Sequence, residues 1–441
     1  MLSLISQDIN EGANLEEKET PAEVTPAPET KPKLWNMNFF LLWQGQFVSA
    51  MGDVAYSIAL GFWILARTGS TALMGTLMAA SSLPRVLISP FAGVVVDRSD
   101  RKWLLVLMDA IRGVFVVFIG IAAYLGFVQI WMVFVAGVVI GACGAFFNPT
   151  VSSVIPDIVD KRRLVQANSV FSIVQTASGI VGSSAGGILF KILGASFMFL
   201  FNGISYLFSA ITEVFIKVPK IVHEKAKLHF FADMKDGLQF VWHFRGLRTL
   251  MMTAGLINFF AVMGIMLILP LFHQEEHLGP VLYGIIMGFF TGGLFLGFLF
   301  TSIVNVKPQY RFRVFSICYL VMSISMILLP VFLHFPMMAA LVFVTGFVNA
   351  ILNTFINTVL QLTTPQAKRG KVFGLLMSIA GGLMPIAYAT GGVLAEFIPI
   401  RLLISVSFAL VLVFYVPMLA SASFRSYVRF DPETQTIGDI K

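Results

Sequence analysis

From residue 38 to about residue 422 the chain is a series of apolar runs. Each is close to the twenty or so residues that a helix needs to cross a hydrocarbon core of ~30 Å at ~1.5 Å per residue. Charges, glycines and prolines divide the series into twelve candidate spans. In the first half these lie near 38–66, 71–96, 103–125, 129–150, 165–190 and 194–216, and in the second near 249–272, 281–304, 312–334, 336–360, 371–395 and 400–422. Only 12% of residues are charged, where a water-facing domain carries about 25%, and 43 Phe with 21 Met suit a lipid-facing exterior. A soluble α/β enzyme would show short strand-length runs between amphipathic helices. The expected class is therefore an all-α integral membrane protein with twelve transmembrane helices.

The basic residues test that count. One set of loops holds Arg98, Arg101 and Lys102; Lys161, Arg162 and Arg163; seven residues from Lys217 to Arg248; Lys307, Arg311 and Arg313; and Lys368, Arg369 and Lys371. That makes 19, and the opposite loops hold only Arg67, Lys191 and Arg401. Basic loops stay inside, so the first set is expected in the cytoplasm, and an even number of spans puts both termini there too. The expected location is the plasma or inner membrane of the cell. The net charge of +7 is spread over these loops and does not point to nucleic acid. Cys143 and Cys318 fall inside apolar runs and read as small buried hydrophobes, not as a disulfide.

Residues 1–37 read as a disordered cytoplasmic tail: the stretch PAEVTPAPETKPK is polar and proline-rich, and no signal-peptide pattern precedes it. Residues 217–248 form the longest internal loop. Phe230, Met234, Leu238, Val241 and Trp242 fall there at helical spacing, which predicts an amphipathic helix on the cytoplasmic surface, either a connector or a lipid or partner site. Residues 423–441 form a second cytoplasmic tail. The six-helix halves, 38–216 and 249–422, show an internal repeat. A shift of 205 sets Gly141 on Gly346, Ala145 on Ala350, Asn148 on Asn353, Val154 on Val359, Gly186 and Gly187 on Gly391 and Gly392, and Asp53 on Asn258. Two related halves joined by a cytoplasmic loop are common among secondary transporters, with the substrate site between them near mid-membrane.

Between the second and third spans stands GVVVDRSDRK, with Gly93, Asp97, Arg98, Arg101 and Lys102. It resembles the G-x-x-x-D-R-x-x-R-[RK] signature of the major facilitator superfamily, at the loop where that superfamily carries it. Here Gly93 is expected to permit close helix packing, and the basic cluster to clamp neighbouring helix ends. LLVLMDAIRG at 104–113 and FFNPTVSSVIPDIVDKRRLVQANS at 146–169 are similar to the drug/proton antiporter branch that includes macrolide-efflux proteins. SGIVGSSAGG at 178–187 resembles that branch's fifth-helix antiporter motif G-x-x-x-G-P-x-x-G-G. Gly182, Gly186 and Gly187 are kept, while Ser178 and Ser183 replace the first glycine and the proline. The resemblance implies two six-helix halves and proton-driven efflux of a small hydrophobic or amphipathic compound. It also implies a relay among Asp97, the loop basics, Asp109 and Arg112 that stabilises one access state. Siderophore export and lysophospholipid flipping are the neighbouring alternatives.

A charge at the bilayer centre costs ~2.5–3.5 kcal/mol on insertion scales, so each one needs an account. Asp53 and Arg85 lie at similar depth on the first two spans, where a structural ion pair and a protonation site are both open readings. Asp109 and Arg112 share one face of the third span. Glu213, near the end of the sixth span, reads as interfacial. Asn349, Asn353, Asn357 and Gln361 make a polar stripe on the tenth span. With Asn148, Gln175, Asn202 and Asn258 they are candidates to line a cavity or to bond between helices. The six histidines lack metal-ligand spacing, HQEEH at 273–277 reads as a solvated helix end, and no phosphate-binding glycine loop appears. A metal, a cofactor and ATP drive are thus not expected, nor is enzymatic activity. The expected partners are the substrate, protons and membrane lipid, with the chain acting as a monomer. A non-transporting receptor on this fold stays open.

Overall fold

The computed structural model describes residues 34–218, 230–304, 306–432, 434 and 435. Residues 1–33, the basic positions Lys220, Lys225 and Lys227, His223 and His229, and the last six residues of the chain lie outside these. The described residues are mostly helical, with no strand among them. The membrane helices are α1 Met37–Thr68, α2 Thr71–Arg98, α3 Arg101–Tyr124 and α4 Ile130–Ile158, then α5 (164–193) and α6 (195–214). They continue with α7 Arg245–Gln274, α8 Gly279–Ile303, α9 Pro308–Leu328, α10 Phe335–Thr363, α11 (366–397) and α12 Ile400–Ala420. α7 is interrupted at Leu267 and α11 at Leu383.

Helices α5 and α6 follow one another as a single 51-residue helical stretch, broken only at Gly194 (φ 76°, ψ 176°). Fifty-one residues at ~1.5 Å each come to about 76 Å, far more than one ~30 Å crossing, so the stretch is two spans joined by a one-residue turn. Gly194 takes a positive φ that a side chain would resist. α4 runs to Ile158, beyond the expected end near 150, and passes through Pro149 and Pro156. Thr150 and Ser153 donate to the carbonyls of Phe146 and Pro149 inside this stretch. The remaining spans match expectation to within a few residues.

Among the described residues, the helices place 16 of these 19 basic residues on one face of the bundle and the three others on the opposite, sparse face. At the sparse face, the two halves meet through two crossings related by the repeat. A Cβ at Gly187 of α5 would stand 2.3 Å from the carbonyl oxygen of Pro280 on α8. A Cβ at Gly392 of α11 would stand 2.6 Å from the carbonyl oxygen of Thr71 and 2.9 Å from Gly75 Cα, both on α2. The 205-residue shift carries Gly187 to Gly392 and Gly75 to Pro280, so the two crossings occupy equivalent places in the two halves. Thr71 Oγ1 donates to Gly392 O at 3.0 Å. The Glu396 carboxylate of α11 accepts from Ser70 Oγ at 2.7 Å and from the Ala72 amide at 2.9 Å, capping the start of α2 from the other half. Phe62 of α1 packs edge-on against Tyr283 of α8, ring centroids 5.5 Å apart.

Toward the basic face the halves part. On α2, Leu87 is 60% and Phe91 56% exposed, and a Cβ at Gly93 would meet nothing within 4 Å. The expectation that Gly93 serves close packing is therefore not met, because no other helix approaches α2 at that position. Phe230–His243 forms the linker helix; the side chains of Phe230 and Met234 are outside the described residues. Val241 is buried, while Leu238 and Trp242 remain exposed. Asp236 accepts from Lys368 and Lys371 at 2.8 Å each and ties this helix to α11. Hydrogen bonds from Lys368 and then Lys371 hold the Asp236 carboxyl down to about 2.

Two outcomes follow from this packing. Gly392→Val forces α2 and α11 apart, so spin labels at Arg67→Cys and Phe397→Cys should lose dipolar broadening on adding it; unchanged broadening would count against the crossing. Because Asp236 is held below its ordinary value of 3.8, its contribution to docking is complete above about pH 4 and is lost as pH falls toward about 2. Amide exchange across 235–243 should stay protected down to about pH 4, and Asp236→Asn should lose that protection already at pH 7.

Candidate functional site

One face of α6 carries Asn202, Ser205, Tyr206, Ser209 and Glu213, all buried. Their spacing of three and four residues is that of a helical stripe. α1 comes close to this stripe through small residues: Gly45 lies against Ser209 and Thr212, and Gly52 against Asn202 and Ser205. α3 adds Asp109 and Arg112. The fit of three helices thus assembles a polar core within the first half.

Asp53 of α1 is exposed although it sits about 24 Å along its helix. Its Oδ1 accepts a hydrogen bond from the Tyr206 hydroxyl. Among the described residues no ion pair joins Asp53 to Arg85. Arg85 is also exposed, with its guanidinium beside Gly144 of α4, and acts on Asp53 only at longer range. Arg112 is the buried cation. Its guanidinium lies over the rings of Phe147 (4.1 Å) and Tyr206 (4.5 Å) and pairs with Asp109 Oδ1. Asp109 is fully buried, and its Oδ2 has no hydrogen-bond partner. Glu213 is only 1% exposed, which corrects its reading as interfacial. It is the next-to-last residue of α6, where packing against neighbouring helices covers it. The groups form a continuous chain from the exposed end inward: Asp53, Tyr206, Arg112, Asp109, Ser209, Glu213.

At the basic face Arg101 of the loop motif pairs with Asp157 of α4 at 2.6 Å and with Asp97 at 3.6 Å, clamping α2 and α3 to α4. Arg98 is exposed, and Lys102 Nζ lies 5.6 Å from the Trp103 ring centroid. In the fifth-helix motif, Gly182 and Gly186 pack on α1, and Gly187 packs on α8. Ser183 donates to Gly179 O at 2.6 Å within its own helix. The cavity candidates divide. Asn148, Gln175, Asn353 and Gln361 are exposed and Asn349 and Asn357 partly so, whereas Asn202 is buried. Asn353 donates to the Asn349 side chain at 2.9 Å, and Asn258 donates to Ala380 O of α11. Cys143 and Cys318 are buried free thiols. In the HQEEH stretch, Glu275 pairs with Arg401 of α12, and His277 Nε2 lies 3.2 Å from Leu333 O. Among the described residues no cluster of His, Cys, Asp or Glu is arranged to hold a metal.

The profile of the Major Facilitator Superfamily matches residues 42–389. Macrolide efflux protein A of Streptococcus pyogenes is 24% identical over 318 residues, covering 66% of this chain and 78% of that protein. Multidrug efflux pump Tap of Mycobacterium tuberculosis (strain ATCC 25618 / H37Rv) is 23% identical over 374 residues, covering 81% and 87%. Among solved structures, a bacterial homologue of the iron transporter ferroportin in an inward-facing state superposes with TM-score 0.69 at 14% identity, covering 88% of this chain and 98% of that one. The nucleoside transporter NupG gives 0.68 at 12% identity, covering 90% and 100%. These two likenesses carry the fold alone.

Removing Arg112 strands Asp109 in the interior, a loss of about 3–5 kcal/mol for a broken buried pair. Arg112→Gln should therefore lower the thermal midpoint of the purified protein sharply, and adding Asp109→Asn should recover much of it. A double variant no more stable than the single one would refute the pairing as the stabilising contact.

Proposed function

Because this chain belongs to the Major Facilitator Superfamily, and is thus a transporter and not an enzyme, we propose that it is a proton-coupled efflux pump for hydrophobic or amphipathic compounds. The single observation that carries the reading is the position of Asp53: exposed, yet hydrogen-bonded by Tyr206 and in the field of Arg112. As a carboxylate, Asp53 holds the Tyr206 hydroxyl and attracts Arg112. Once protonated it loses that attraction, so proton binding changes the balance of forces on α1, α3 and α6 together. A substrate and a proton that compete for this site are exchanged one for the other.

The similarity to proteins named macrolide and multidrug efflux pumps supports a bulky, largely apolar substrate. The amide stripe of α10 from Asn349 to Gln361 offers hydrogen bonds for a few polar groups on such a molecule. In this reading the basic face is cytoplasmic, both termini lie there, and a cleft between the halves is open to the cytoplasm, where a pump loads its substrate. The membrane potential supplies ~2.3 kcal/mol per charge per 100 mV, enough for appreciable accumulation.

In everted vesicles, uptake of a radiolabelled macrolide should collapse with an uncoupler. Asp53→Asn should lose gradient-driven uptake by tenfold or more while it keeps substrate exchange at equilibrium. A normal coupled rate in Asp53→Asn would remove Asp53 from the mechanism, and uptake indifferent to the gradient would sink the coupling itself.

A further inference from the structure

Glu213 is the buried acid that the reading above leaves unused. Its Oε1 accepts from Ser209 Oγ at 3.3 Å, and its Oε2 is buried with no partner. The Ser209 hydroxyl also faces the Asp109 carboxyl, whose Oδ2 is the neighbouring orphan. Asp53 and Tyr56 on α1, Asp109 and Arg112 on α3, Asn202, Tyr206 and Ser209 on α6, Cys143 on α4 and Arg85 on α2 are the other ionisable and polar groups of this core. Three carboxylates thus face two guanidiniums, one of them distant. Fully ionised, the cluster keeps an uncompensated negative charge in a low-dielectric interior, with two carboxylate oxygens unsatisfied. One proton removes the excess charge and gives one of the two orphan oxygens a hydrogen to donate. A serine hydroxyl has a single hydrogen, so it serves both acids only when one of them is protonated and donates to it.

We infer that Asp109, Ser209 and Glu213 form a proton relay, with Glu213 as the seat of the proton at the basic-face end of α6. The inference rests on the proton-coupled reading and deepens it. In the transfer step the Asp109 O–H bond breaks as its proton passes to Ser209 Oγ. The original Ser209 O–H bond breaks in turn, and that hydrogen goes to Glu213 Oε1. Serine is regenerated, and the net change is one proton moved from Asp109 to Glu213. Arg112 holds the ionised form of Asp109 once the proton has left, which makes the transfer reversible.

The test does not depend on knowing the substrate. Infrared spectra of the reconstituted full-length protein at pH 7 should show the carbonyl stretch of a buried carboxylic acid. That band should move on 13C labelling of glutamate side chains, since Glu213 is the buried glutamate among the described residues. Glu213→Gln should abolish the band, and Ser209→Ala should keep it but shift it to higher frequency as its hydrogen bond is lost. A band insensitive to 13C-glutamate, or none, would overturn the proposal, and the labelling arm needs no variant to fold. Proton-driven macrolide uptake is measured in the same vesicles. A labelled glutamate band in a protein with uncoupled transport would keep the proton seat and reject coupling, whereas coupled transport without the band would reject the seat alone.

Discussion

The guanidinium of Arg112 is the interaction on which the first half depends. It lies between two aromatic faces, pairs with Asp109, and attracts Asp53 directly. A cation so deep in a membrane protein is tolerable only where π-faces and carboxylates replace its hydration. The contributors come from α1, α3, α4 and α6, so neutralising one charge fixes the relation of four helices. Small residues at Gly45 and Gly52 then let α1 approach α6 closely enough for the polar groups to meet out of contact with lipid.

The second half shares the architecture without this chemistry. Asn258 stands where the repeat places Asp53, and it bonds a backbone carbonyl of α11 in place of a tyrosine. The same shift puts Val411, Met418 and Ile317 at the places of Tyr206, Glu213 and Arg112. What the halves keep in common is the sparse-face crossing, where Gly187 meets Pro280 and Gly392 meets Thr71 and Gly75. Close backbone approach has been retained in both halves, and charge in one.

Much of this was legible in the apolar runs and the distribution of basic residues, because crossing a membrane imposes length and sidedness directly on the sequence. Asp53, Asp109 and Arg112 announced themselves as charges in apolar surroundings. Tyr206 and Ser209 did not, since a tyrosine or a serine in an apolar run is unremarkable one at a time. Glu213 was misread from its nearness to a helix end. The available signal was the stripe itself, Asn202, Ser205, Tyr206, Ser209 and Glu213 on one face, equivalent to the amide stripe that stood out on α10. The partner of Asp53 was not legible. Depth along α1 and α2 matched Asp53 with Arg85, but the choice of tyrosine over arginine depends on which faces α1 turns to α2 and α6. The packing of Gly45 and Gly52 decides that.

The turn at Gly194 has a mechanical meaning. α5 carries one crossing of the sparse-face gate, and α6 carries Tyr206, Ser209 and Glu213, with a single residue of chain between them. Such a joint has no slack. When α5 tilts away from α8, α6 is dragged along or pivots about Gly194, and in either case the alignment of its stripe against α3 is disturbed. Gate and acid cluster are thereby geared to one another by the covalent chain itself, with no messenger needed across the intervening distance.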